Sequence, residues 1–101
     1  MINKAFLHIL FILLGTFSYA QSLNVSGKVT DDKHRAIKGA IVKVSGKSQK
    51  YFTNSKGEFS IPLASGYSYT AKFNAINHKS TKKSFTLGST ALYLGTIILI
   101  Q

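Results

Sequence analysis

The sequence has no cysteine, no tryptophan, one proline and three acidic residues, against thirteen lysines and arginines. The lack of cysteine excludes a disulfide, a cysteine zinc site, a thiol nucleophile and a lipid-modified cysteine within these 101 residues. Three acids also leave little material for the paired carboxylates of general acid–base catalysis. A chain of this length holds one domain at most, because domains usually have about 100–200 residues. The composition therefore predicts a single domain that is not an enzyme and binds no cofactor.

The few candidate catalytic or metal-binding residues do not form a recognisable set. A zinc site needs three or four ligands, and His34 and His78 have no third partner that the sequence indicates. A calcium site built on Asp31 and Asp32 is short of the 6–8 oxygens that this ion takes. No nucleophile elbow accompanies the serines. We therefore predict no catalytic residue and no metal site, with both histidines at the surface and Asp31 capping the amides of a turn.

The first twenty residues have the layout of a secretory signal. Lys4 precedes an apolar run over residues 5–14, and small residues follow, with Ser18 and Ala20 two positions apart. This order of basic start, apolar middle and small residues predicts export, with cleavage between Ala20 and Gln21. A membrane anchor is the alternative, but a spanning helix needs about 20 apolar residues. We expect a signal peptide at 1–20 and a domain at 21–101, located in the periplasm, at the outer membrane or outside the cell.

The remaining 81 residues, with twelve cations and a formal net charge of +9, read as short strands separated by turns. Alternation of apolar and polar side chains predicts seven strands, near residues 25–30, 40–45, 50–53, 58–63, 67–75, 79–87 and 92–100. The fifth strand is expected to turn Tyr67 and Tyr69 inward. Pro62 restricts the fourth strand to an edge or a strand end. The uncharged run at 91–100 is too short to span a bilayer as a helix. The pattern predicts an all-β sandwich with no membrane span.

Four motifs in this region, VSGKVTDD, IKGAIVKVSG, TNSKGEFSIPL and LGTIIL, resemble the carboxypeptidase regulatory-like domain. The resemblance covers nearly all of residues 21–101 and implies a seven-stranded, transthyretin-like Greek-key β-sandwich. It departs from the family pattern at Asn77-His78, where Gly-Tyr is common; Asn tolerates a positive φ, so Asn77 is expected to keep the turn. The residues that carry the motifs, and that we take as structural, are Val25, Gly27, Val29, Asp31, Ile37, Gly39, Ala40, Val42, Thr53, Asn54, Gly57, Phe59, Leu94, Gly95, Ile97 and Leu99.

The resemblance also indicates the setting in which such domains act. They occur beside metallocarboxypeptidase domains, at the N-termini of TonB-dependent receptors and as free-standing exported proteins. Some transthyretin-like enzymes use His, Arg and a C-terminal Tyr-Arg-Gly-Ser, and this chain ends Ile-Ile-Leu-Ile-Gln. We therefore expect a non-enzymatic binding or structural module of the bacterial cell envelope, acting first through protein–protein contacts. A carbohydrate-binding module, or an accessory remnant of a receptor or carboxypeptidase, is the alternative.

Lysine dominates the charge, and its positions suggest a surface. Alternation turns Lys28, Lys43 and Lys72 outward from strands, whereas Lys47, Lys50, Lys56, Lys79, Lys82 and Lys83 are assigned to turns or their borders. One interpretation is a solvated surface that keeps edge strands from pairing. Another is a surface for an anionic partner (an envelope protein, an acidic glycan or lipopolysaccharide), with Lys28, Lys43, Lys72, Lys82 and Lys83 as candidates. Nucleic acid is not expected, because the protein is exported and nearly lacks arginine.

The tyrosines allow two interpretations. Tyr51, Tyr67, Tyr69 and Tyr93 together form either a sugar-stacking platform or part of the core, and the alternation of the fifth strand favours core packing for two of them.

Overall fold

The computed structural model of the protein describes residues 21–101, which form seven β-strands and no helix. The predicted signal peptide lies outside the described residues, so its cleavage between Ala20 and Gln21 and the domain start at residue 21 stay predictions. The strands are β1 (Ser22–Asp31), β2 (Ile41–Val44), β3 (Lys50–Phe52), β4 (Glu58–Ala64), β5 (Ser68–Asn74), β6 (Thr81–Thr86) and β7 (Leu92–Leu99). Each corresponds to one of the seven predicted strands.

The strands form two sheets. A three-stranded sheet has the order β4-β1-β7, with β1 antiparallel to β4 and parallel to β7. A four-stranded sheet has the order β3-β2-β5-β6, and all its pairs are antiparallel. Strands adjacent in a sheet are often distant in sequence, because the chain repeatedly crosses from one sheet to the other. The predicted all-β, transthyretin-like sandwich is confirmed.

The core lies between the two sheets and is formed by alternate residues of the strands. Phe59 of β4 packs against Phe73 of β5 with ring centroids 5.4 Å apart, which joins the two sheets at the centre. Alternation produces this layer because successive side chains of a strand point to opposite faces. The buried apolar residues are Val25, Val29, Ala40, Val42, Val44, Phe59, Ile61, Leu63, Ala71, Phe73, Leu87, Ile97 and Leu99.

One prediction about the core is wrong. Tyr67 is 61% exposed, whereas the alternation of the fifth strand placed it inward. The reason is that β5 begins at Ser68, so Tyr67 lies in the connection before the strand and does not follow its period. Tyr69 does lie within β5 and is half-buried, with its hydroxyl donating a 2.6 Å hydrogen bond to the carbonyl oxygen of Ala64.

The strands at the sheet edges carry features that discourage pairing with other chains. Pro62 lies in β4, which is an edge strand as predicted, because a proline cannot donate to a ladder. The edges of the four-stranded sheet are β3 and β6, which contain Lys50, Lys82 and Lys83. The predicted strands at 50–53 and 79–87 already included these three lysines, although β6 is shorter than predicted. Short polar strands give a weak alternation signal, so their limits are hard to read from sequence.

Candidate binding face on the four-stranded sheet

The outer face of the four-stranded sheet carries a row of four lysines, one from each strand. Lys50 of β3 is the register partner of Lys43 in β2, and Lys43 is also the partner of Lys72 in β5. Lys72 is in turn the partner of Lys82 in β6. Residues directly opposite on paired strands share one face of a sheet. We call Lys50, Lys43, Lys72 and Lys82 the lysine row.

The lysine row is straight, exposed and regularly spaced. All four side chains are exposed to solvent. Neighbouring strands lie about 4.8 Å apart, so the row crosses about 14 Å of sheet perpendicular to the strands. Within residues 21–101 the one ion pair is Arg35 with Asp31, so no row lysine has a carboxylate within 4.0 Å there. The result is a line of four positive charges that the described part of the protein does not neutralise.

The remaining candidate lysines lie elsewhere. Lys28 is on β1 in the other sheet, where its register partners are Glu58 and Thr96. Lys83 is the partner of Ala71, a fully buried core residue, so it projects from the opposite face of β6 at the sheet edge. The predicted surface of five lysines is therefore divided: Lys43, Lys72 and Lys82 lie together with Lys50, whereas Lys28 and Lys83 do not join them. Sequence alternation alone could not assign strands to sheets.

Hydroxyl groups extend the same face beside the lysine row. Thr70 of β5 and Ser84 of β6 are hydrogen-bonded at 3.0 Å, and Ser68 and Thr86 at 2.9 Å. Two open depressions cover this area. One, of about 480 Å³, is lined by both hydroxyl pairs and Ser45. The other, of about 520 Å³, is lined by three row lysines and the Ser45–Ser48 turn, and it shares Ser45 and Thr70 with the first. Tyr69 and Phe85 also line the first depression, so the two together form one shallow surface of mixed polar and apolar character.

An exposed aromatic residue lies on the other side of the lysine row. Phe52 of β3 is two positions from Lys50 on the same face and is 61% exposed. Its register partner is Ile41, whose partner on β5 is Asn74. Phe52 was not among the surface residues predicted from the sequence. The signal that could have identified it is the alternation of KYFT itself, which turns Tyr51 inward and Phe52 outward.

The four tyrosines do not form a common platform. Tyr51 is the register partner of the buried Val42 and is half-buried itself. Tyr69 packs against Phe85 with centroids 5.8 Å apart. Tyr93, in contrast, is 64% exposed on β7 of the other sheet. Tyr67 contacts Tyr69 edge-on with ring centroids 6.4 Å apart, but Tyr51 and Tyr93 lie elsewhere, so the four do not form one stacking platform.

Two of the three acidic residues, Asp31 and Glu58, serve local structure away from the lysine row. Asp31 accepts hydrogen bonds from the backbone N–H groups of Lys33 and Arg35, each at 2.9 Å, and pairs with the Arg35 guanidinium at 2.7 Å. The backbone N–H of Arg35 is the main cause that lowers the pKa of Asp31, and the guanidinium adds to it against the opposing effect of burial. This geometry is the turn capping that was predicted. Glu58 accepts a hydrogen bond from the Asn54 side chain.

The histidines take part in local geometry as well. His34 and Asn77 both adopt positive φ, of 65° and 63°, and the value for Asn77 confirms the expectation from the sequence. The Nδ1 atom of His78 is 2.7 Å from the carbonyl oxygen of Ile76. Among residues 21–101, no three histidine, aspartate or glutamate side chains are grouped closely enough to hold a metal ion.

Two of the four motif glycines, Gly27 and Gly57, lie where a side chain would collide. A Cβ on Gly27 would come within 2.7 Å of the Phe59 ring, and one on Gly57 would come within 2.5 Å of the Val29 carbonyl oxygen. Gly57 also has a φ of +77°. Gly39 and the buried Ala40 come directly before β2. Gly95 lies in β7, where the register between β1 and β7 is irregular.

Thr53, another residue of these motifs, has a structural role that the sequence did not predict. Thr53 is 5% exposed, and its hydroxyl accepts a 2.8 Å hydrogen bond from Ala40 N–H. The same hydroxyl donates a 2.6 Å bond to the carbonyl oxygen of Ile37. Thr53 therefore holds the segment that enters β2. The threonine at the start of TNSKGEF is the signal from which this could have been inferred.

These observations define a small β-sandwich domain with an exposed basic face. The chain belongs to the carboxypeptidase regulatory-like domain family, whose profile matches residues 24–93. No curated protein matches the sequence significantly. Residues 21–101 contain no helix, and therefore none that is long and apolar enough to cross a membrane.

Several solved structures share the fold at low sequence identity. A chain of a type II Cohesin-X-Dockerin complex from Acetivibrio cellulolyticus has a TM-score of 0.64 and 21% identity, over 76% of this chain and 56% of that chain. Chlorocatechol 1,2-dioxygenase from Pseudomonas putida has a TM-score of 0.66 and 10% identity, over 81% and 61%. The dioxygenase domain of a dioxygenase carbohydrate-binding protein fusion from Streptomyces sp. SirexAA-E has a TM-score of 0.54 and 15% identity, over 84% and 82%. In the first two matches, this protein therefore spans little more than half the length of the chain that it resembles.

Proposed function

We propose that this protein is an exported, non-enzymatic binding module of the bacterial cell envelope, and that it holds an anionic partner against the lysine row. The observation that carries this proposal is the register Lys50–Lys43–Lys72–Lys82 across all four strands of one sheet. The proposed export rests on the basic, apolar and small-residue order of residues 1–20.

The lysine row should lower the stability of the sheet, and a sheet that has only to remain folded and soluble does not need it. Like charges directly opposite on neighbouring strands are destabilising, and this sheet places three such contacts in one line. A surface that serves solubility alone works with both signs interspersed. An anionic partner would relieve the repulsion on binding, so the free energy stored in the row favours the complex.

Three kinds of partner or context agree with this surface. The acidic face of an envelope protein is the one that the sequence favours, and an acidic carbohydrate is the second. The third is an accessory role beside a receptor or a carboxypeptidase, in which the same face would contact the larger protein. The structural relatives share the fold alone and do not distinguish among these three.

The test is capture of envelope components by the purified protein at rising salt. The double variant Lys43→Gln/Lys72→Gln removes the two central charges of the row and keeps the aliphatic stems. Lys28→Gln is the matched control, because it removes a strand lysine from the other sheet. We expect capture by the wild type and the control at 50 mM salt, and its loss in the double variant and at high salt, where exposed charges are screened.

Equal capture by all three proteins would contradict the proposal, as would capture that does not change with salt. A separate measurement addresses the absence of catalysis: hydrolysis of ester or peptide substrates that is lost on His78→Ala would show that the protein is an enzyme.

A further inference from the structure

We propose that the ligand of the lysine row is a linear acidic polysaccharide, which crosses the four strands along the row and stacks one sugar on Phe52. This inference rests on the proposed function, because it names the class of partner for the same face. Such a ligand fits three features of the face: the shape of the charge pattern, the hydroxyl groups beside it and the position of Phe52.

The charge pattern has the form of a line. Four lysines at intervals of about 4.8 Å present ammonium groups along a single direction, on side chains that are all exposed. A polymer with an acidic group on each sugar repeats its charge along one direction on the scale of a single ring. Several ammonium groups can then bind successive carboxylate, sulfate or phosphate groups of one chain. Charge-assisted hydrogen bonds of this kind are the stronger ones in proteins.

The hydroxyl groups beside the row match the remaining chemistry of a sugar. The Thr70–Ser84 and Ser68–Thr86 pairs are exposed, and each hydroxyl has one donor and two acceptor lone pairs. Sugar hydroxyls have the same dual character and can exchange hydrogen bonds with such pairs in either direction. The two depressions meet at Ser45 and Thr70, so a bound chain along the lysines has these hydroxyl groups on one side.

Phe52 supplies an apolar contact on the other side of the row. Its ring is 61% exposed and is two residues from Lys50 on the same face. An aromatic face has a negative quadrupole, which suits the C–H groups on the flat side of a sugar ring. A sugar whose acidic group binds Lys50 therefore has an aromatic surface next to it. Stacking of this kind would not form with a polypeptide anion such as polyglutamate.

The composition of the face favours a glycan over a folded protein. Cores of protein–protein interfaces are depleted in lysine and depend on buried Trp, Tyr and Arg anchors. Here lysines occupy the centre, and Phe52 lies at the margin on an edge strand. An extended chain that places charge on each lysine needs no deep pocket, and the two depressions are open ones.

The experiment measures binding of the full protein to defined polymers by isothermal titration calorimetry at 50 mM salt. The probes are polygalacturonate, neutral dextran, poly-L-glutamate, a single-stranded oligonucleotide and vesicles of an anionic phospholipid. We expect polygalacturonate to bind and dextran not to bind. Lys43→Gln/Lys72→Gln should weaken binding about tenfold or more, because two charge-assisted hydrogen bonds are lost, and Lys28→Gln should not.

Phe52→Ala separates a glycan site from a general polyanion site. It should weaken polygalacturonate binding several-fold and leave any binding of poly-L-glutamate unchanged, with circular dichroism confirming that the variant is folded. The inference is overturned if polyglutamate, the oligonucleotide or the vesicles bind as tightly as polygalacturonate at equal charge, or if Phe52→Ala has no effect. If no polymer binds while envelope capture persists, this inference fails and the proposed function stands. If capture is absent too, both fail.

Discussion

Replacing Thr53 by valine should destabilise the domain without changing its shape. Valine has nearly the same volume as threonine but no hydroxyl, and the site is 5% exposed. The change leaves the backbone bonds from Gly39 N–H to Thr53 O and from Thr53 N–H to Ala40 O in place. It removes the bond that Ala40 N–H donates and the bond that Ile37 O accepts. The perturbation is therefore limited to two hydrogen bonds.

The expected cost follows from the burial of the groups that lose their partner. Ala40 is fully buried, so its N–H finds no water to replace the hydroxyl. Ile37 is half-buried, and its carbonyl oxygen can recover part of the loss. Leaving one buried group unsatisfied and weakening a second should cost about 2–4 kcal/mol together. Against a total stability of about 5–15 kcal/mol for a small domain, this is a large change.

The assay is urea unfolding followed by far-ultraviolet circular dichroism, because the chain has no tryptophan. Thr53→Ser is the control: it keeps the hydroxyl and loses only a methyl group, so it should cost less than Thr53→Val. The slope of the transition should stay the same in all three proteins. A loss for Thr53→Val below about 1 kcal/mol, or a larger loss for the serine variant, would refute the role assigned to these hydrogen bonds.

Three further predictions concern other parts of the domain. Gly57→Ala should destabilise more than Gly46→Ala: both sites have positive φ, but only at Gly57 would the added Cβ meet a backbone oxygen, and equal urea midpoints would contradict this. The pKa of Asp31 is lowered in the folded state, so the stability that its ionised carboxylate contributes is present above the ordinary pKa and is lost as the pH falls below about 4. The difference in urea midpoint between wild type and Asp31→Asn should therefore shrink from pH 7 to pH 3. A difference that stays constant would argue against this role of Asp31. Lys72→Gln should raise the midpoint at low salt, since two opposed lysines lose a like charge, and the gain should disappear in 1 M salt, where the Debye length is about 3 Å.

The sequence predicted the strands well, because a strand buried on one face has a period that local patterns reveal. Phe59, Ile61 and Leu63 show this for β4, where alternate side chains are all buried. The prediction was wrong where the period ended. Tyr67 was assigned to a strand that starts one residue later, and the sixth strand was predicted over 79–87 but spans Thr81–Thr86. Ends of strands depend on which backbone groups find partners in a neighbouring strand, and this is not a local property.

The fold class, the family resemblance and the excess of lysine are all readable from the amino-acid order alone. Glycines at positions of close approach, such as Gly27 and Gly57, fix the motifs through sterics that any chain of this fold must satisfy. Which lysines lie next to one another depends on the pairing of strands in the folded protein. Lys28, Lys43 and Lys72 look equivalent along the chain, because each alternates outward from a strand. Pairing of β2 with β5 and of β5 with β6 places Lys43, Lys72 and Lys82 in one line, and pairing of β1 with β4 places Lys28 opposite Glu58 on the other sheet. Register between strands distant in sequence is set by burial of the whole core, so the lysine row exists only once the strands have paired.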